Sequence, residues 1–154
     1  MRALLALAVT LPHVGLLVPG TSLGGIRLGE TKAQVERAWG REHGTCRNCP
    51  APTWYFNVKR FEPVGAGVSF RQGRVERVFT LWAPPGWHTS RDLAIGDPEA
   101  RATSLYGVLL TTTCVGYDAL ALPHGAGTIF VKDGVVWGFA LSRPGVPTCL
   151  EARA

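Results

Sequence analysis

The sequence predicts an α+β fold of two tandem repeats, each a short helix packed on a small antiparallel β-meander. Three observations carry that expectation. The segment "GIRLGETKAQVERAWG" matches "DLAIGDPEARATSLYG" position by position, with Gly29 on Gly96 and Gly40 on Gly107. Further on, "GVSFRQGRVERVFTL" matches "TIFVKDGVVWGFALS", with Gly73 on Gly134. Finally, 11 prolines and 19 glycines in 154 residues call for many turns and few long helices. Two matched blocks in the same order are the mark of one unit written twice.

The N-terminus reads as a signal peptide over residues 1–20. Arg2 comes first, then an apolar run from Ala3 to Val18 broken by Pro12 and His13, then the small residues Gly20 and Ser22. The run is shorter than the ~20 residues that a spanning helix needs, so no stable membrane span is expected after signal removal.

The first unit is expected over 21–82. Its helix opens with Thr31 and Gln34 in capping-box spacing, each side chain satisfying a backbone donor of the first turn. Val35, Ala38 and Trp39 make one apolar stripe, and Gly40 supplies the stop. Trp54–Phe61 reads as a strand, and "RQGR" as the turn of a following hairpin. The spacing of Val75 and Val78 breaks strict alternation and suggests a β-bulge.

A Pro-Gly connector is expected over 83–88, and the second unit over 89–154. Asp97 and Pro98 read as the N-cap and first position of its helix. Ala102, Leu105 and Tyr106 repeat the stripe, and Gly107 the stop. Ala119–Leu122 takes the place of the extra strand. Asp133-Gly134 is a hairpin-turn dipeptide, and Val135, Trp137, Phe139 and Leu141 alternate beyond it. A helix this short is stable only when its stripe rests on a sheet, hence the helix-on-meander arrangement.

These motifs resemble the exported bacterial proteins of the β-lactamase-inhibitor-protein-like fold and the related small outer-membrane assembly lipoproteins. The resemblance implies an exported protein-binding scaffold. The chain departs from both groups: "GREHGTCRNCPAPT" is too rich in Gly, Pro and Cys for a second helix, and no lipidated N-terminal Cys or inhibitory loop motif can be matched.

The four cysteines, Cys46, Cys49, Cys114 and Cys149, favour disulfides in an exported chain. Three pairings are open to four cysteines. Local closure of "CRNC" would join Cys46 to Cys49 and leave Cys114 to tie the C-terminal tail through Cys149. The rival reading uses Cys46, Cys49 and His43 for redox or metal chemistry, but Pro50 and Pro52 follow where a thiolate-stabilising helix would have to start. A metal site would need a fourth ligand.

No nucleophile–base spacing, phosphate loop or zinc helix motif is present, so neither an enzyme nor a cofactor or metal is expected. Nucleic acid is not expected either: the net charge of +5 is modest, and Arg71, Arg74 and Arg77 read as a charged hairpin edge. The expected function is a secreted or periplasmic, non-catalytic binding module for a partner protein or envelope component. Its expected contacts are Phe61 and Glu62 on a long loop, His124 on the matching loop, and the aromatics Trp82 and Trp87. A purely structural envelope domain is the other alternative.

Overall fold

The structure, a computed structural model, describes residues 15–58 and 64–150. Its elements in chain order are strands β1 (Leu16–Val18) and β2 (Ser22–Leu23), helix α1 (Lys32–Trp39), and strands β3 (Gly44–Cys46), β4 (Thr53–Asn57), β5 (Gly65–Arg71), β6 (Arg74–Leu81) and β7 (His88–Thr89). Helix α2 (Glu99–Tyr106), β8 (Leu110–Cys114), β9 (Tyr117–Ala121), a 3-10 turn (Pro123–Gly125), β10 (Thr128–Lys132) and β11 (Val135–Ser142) follow.

The eight longer-range strands form one antiparallel sheet in the order β3-β4-β5-β6-β11-β10-β9-β8. A second sheet, β2-β1-β7, joins β1 antiparallel to β2 and parallel to β7. The expected α+β fold of two tandem helix-on-meander units is therefore corrected. Among the described residues the molecule is mainly β, with two α-helices of eight residues each. The strands of both halves share one continuous sheet through the β6–β11 pairing, in which Phe79 faces Ala140 and Val78 faces Leu141. Strand pairing is non-local, and the sequence spacing used to draw two units contains no information about it.

Local chemistry explains the elements. In α1, Thr31 and Gln34 form the reciprocal capping box: the Gln34 N–H donates to Thr31 Oγ1, and the Thr31 N–H donates to Gln34 Oε1 at 2.8 Å. At α2, Pro98 occupies the cap, and the Asp97 carboxylate turns away to accept the Ala94 N–H at 2.8 Å. Asp97 is thus a turn residue and not the helix cap. Both helix starts are stitched to the sheet. Gly29 and Glu30 exchange backbone bonds with Val75, and Gly96 and Asp97 with Val136. The hairpins β5–β6 and β10–β11 turn on Gln72-Gly73 and Asp133-Gly134, all four residues at positive φ, as primed two-residue turns require.

Each hairpin carries a bulge. The register jumps between Ser69 and Phe70, leaving Glu76 extra in β6, and between Phe130 and Val131, leaving Trp137 extra in β11. The main core lies between the inner face of the large sheet and the layer of helices and small sheet. Phe56, Val68, Phe70, Val75, Val78, Ile129, Val136, Phe139 and Leu141 meet Val35, Trp39, Ala102, Leu17, Leu23, Trp87 and Leu93 there. A smaller cluster on the outer face gathers Phe79, Ala119, Phe130 and Ala140, with Tyr117, Trp137 and Leu150 packed against them.

Two segments expected to lie outside the repeat units take part in the fold. Residues 1–14 of the expected signal peptide lie outside the described residues. Gly15–Gly20, however, belong to the fold: Leu17 is fully buried, Gly24 donates to the Leu16 carbonyl, and His88 donates to the Gly15 carbonyl. Residues 83–88 are likewise no free connector, because Trp87 is in the core and His88 starts β7. Among the described residues, no helix is long and apolar enough to cross a membrane.

Candidate functional site

The outer face of the large sheet carries a groove of ≈ 710 Å³ over β4, β5 and β6. Pairing register sets its floor. Thr53, Ser69 and Arg77 form one row across the strands, Tyr55, Gly67 and Phe79 the next, and Asn57, Gly65 and Leu81 the third. The central strand contributes glycine to two of the three rows, so the floor is low along its middle. A Cβ on Gly67 would come within 2.4 Å of the Phe79 ring, which lies over that glycine.

The two walls are built from loops. One is the turn between β3 and β4, with Cys46, Cys49, Pro50 and Ala51; the other is the C-terminal tail, with Val146, Pro147, Cys149 and Leu150. Cys46 is bonded to Cys49, and Cys114 to Cys149. Each disulfide therefore pins one wall. The tail is held again at Leu150, where the Tyr117 hydroxyl donates to the Leu150 carbonyl at 3.1 Å and accepts the Leu150 N–H. Burial pushes the Tyr117 phenol above its usual value of 10, against smaller opposing pulls from the Leu150 backbone and the Arg77 charge.

Polar groups on the floor are largely matched within the protein. The Thr53 and Ser69 hydroxyls bond at 2.9 Å. The buried Glu76 carboxylate forms an ion pair with Arg71, whose Nε lies 2.8 Å away, and Arg77 Nε donates to Ser142 Oγ at 3.2 Å. What stands open in the groove is aromatic. Trp82 is 61% exposed and Tyr55 40%. Trp82 and the following Ala83 have φ of 56° and 50°. The left-handed region is unfavourable for a bulky residue, so this indole is held outward at a conformational cost.

The sequence-derived site residues divide sharply. Trp82 lines the groove. Trp87 does not contact solvent and is corrected from contact residue to core residue: its ring lies flat on Gly15, where a Cβ would fall 2.3 Å from ring atoms, and meets Trp39 edge-on at 6.3 Å. His124 is exposed on the 3-10 turn at φ 59° and stands apart from the groove. Phe61 and Glu62 lie outside the described residues. His43 stacks on Trp54 at 3.9 Å and meets Glu36 at 3.3 Å, turned away from the bonded Cys46 and Cys49. Among the described residues no group of three His, Cys, Asp or Glu side chains is placed to hold a metal ion.

Sequence reasoning missed Tyr55, Asn57, Phe79 and the tail residues of the far wall. The signal available for them was "GAG" at Gly65–Gly67, two glycines at alternate positions of a strand. Comparison with protein-family models, with curated proteins and with solved structures finds no match.

Proposed function

We propose that this protein is an exported, non-catalytic binding module that takes a partner protein or envelope component into the groove over β4–β6. The observation that carries the reading is Trp82, a largely exposed indole held in left-handed backbone at the rim of a groove of ≈ 710 Å³. Exposed tryptophan and tyrosine beside a desolvated pocket are the residue types that dominate binding energy at interfaces. The volume falls in the range of ligand sites and admits a few residues of a partner chain. Two disulfides support an oxidising compartment. The likeness to exported inhibitor-type and outer-membrane assembly proteins rests on the sequence motifs and adds the expectation of a protein partner.

Affinity capture from the envelope and medium of the producing cell tests this reading. Wild-type protein is expected to retain a partner that Trp82→Ala/Tyr55→Ala releases, with both proteins giving the same circular dichroism spectrum. Equal recovery by the two folded proteins would remove the groove from the binding surface.

A further inference from the structure

The most exposed large aliphatic side chains lie together, away from the groove. Val108, Leu110 and Val115 are 97%, 82% and 88% exposed, and all three flank or belong to β8. This strand is an edge of the large sheet and, among the described residues, pairs with β9 alone. From Gly107 to Gly116 the sequence "GVLLTTTCVG" has no charge and no proline. Edge strands are ordinarily blunted by such residues, because unpaired N–H and C=O groups template further pairing. The opposite edge is protected in that way. There β3 is three residues long, ends in the Cys46–Cys49 loop, and is flanked by Arg41, Glu42 and Arg47.

We propose that the β8 edge is a self-association surface whose occupant is a second copy of this chain, paired antiparallel about a two-fold axis at Thr112. The turn Val115-Gly116 closes on the pair Cys114–Tyr117. In an antiparallel ladder the bonded pairs alternate, so Cys114, Thr112 and Leu110 bond inward to β9 while Thr111 and Thr113 present their N–H and C=O outward. That spacing is self-complementary. With the axis at Thr112, Thr111 of one copy meets Thr113 of the other and both exchange two bonds. Thr–Thr pairs are favourable across strands, and the same register sets Leu110 opposite the partner's Cys114 and Leu109 opposite the partner's Val115. Charge selects the occupant as well. Copies of net charge +5 repel wherever charged surfaces meet, and this neutral strip is where they approach without like charges opposed. The pairing is isologous and closes at a dimer.

Sedimentation equilibrium of the full chain, with disulfides intact, tests the proposal. Wild type is expected to give twice the monomer mass. Thr111→Lys/Thr113→Lys places like charges opposite one another and is expected to give a monomer. Thr111→Glu/Thr113→Lys places opposite charges across the axis and is expected to restore the dimer. Hydrogen exchange on wild type gives a measurement independent of any variant: the Thr111 and Thr113 amides are expected to slow as protein concentration rises. A wild-type monomer up to millimolar concentration would overturn the proposal, as would a dimer kept by the double-lysine variant or concentration-independent exchange at those two amides.

Discussion

At the scale of single residues, the two tryptophans that bracket "APPG" separate structure from function. Local sequence cannot tell them apart, since both stand in a Pro-Gly-rich loop. Trp87 is decided by a residue far away in the chain, because Gly15 leaves the flat space its ring fills. Trp87→Ala is expected to destabilise by about 3–5 kcal/mol, as other large aromatic truncations in cores do, measured by denaturant unfolding. Trp82 is the converse case. Trp82→Gly removes the left-handed strain and is expected to leave stability unchanged or raise it by about 1 kcal/mol, while abolishing partner capture. A marked loss of stability in that variant would make Trp82 a packing residue. Tyr117 adds a pH dependence. The fold raises its pKa above 10, so it holds the neutral phenol, and the stability from this group is present below pH 10 and lost as pH rises through the raised value. Unfolding free energy is expected to fall above pH 10 in wild type and to fall less steeply in Tyr117→Phe.

At the scale of elements, the sequence reading located what is governed by neighbours in the chain. Helix α1, its capping box, both primed turns and the bulge near Val75 and Val78 are all local, and all were legible. Strands β3, β8 and the small sheet were not, because "GTC" and "LTTTC" show no apolar alternation to betray them and are held by pairing and by the disulfides at their ends. Trp137 shows the limit of alternation. It appeared to share a face with Phe139 and Leu141, but the bulge sends it outward to Tyr117 at 5.3 Å while those two enter the core. The disulfides differ in the loop each one closes. Cys114–Cys149 spans 35 residues and Cys46–Cys49 three. Chain-entropy reasoning gives about 4 kcal/mol for the first and about 2 kcal/mol for the second. Paired Cys→Ser replacements are expected to rank in that order in denaturant unfolding. Strand β1 makes a further expectation concrete. A cut after Gly20 would remove Leu17 from the core at a cost of at least about 3 kcal/mol. N-terminal sequencing of the protein recovered from its producing cell is therefore expected to find Leu16 retained.

At the scale of the whole molecule, one sheet has two faces with different duties. The inner face carries the core under the helices. On the outer face Leu150 of the tail packs beside Tyr117 and Phe130, and the groove opens between the tail and the β3–β4 turn, two disulfide-pinned walls. The sequence pointed to loops for function because loops ordinarily carry it. The floor of the groove is instead spread over three consecutive strands, and only their register puts Tyr55 in one row with Phe79, and Leu81 in the next. Photo-crosslinking in the producing cell tests that assignment most directly. With a photoreactive amino acid at position 55, on the groove floor, a single discrete adduct is expected, and with the same group at position 124, on the 3-10 turn, none. An adduct from position 124 with none from position 55 would contradict the account and move the binding surface to the 3-10 turn between β9 and β10.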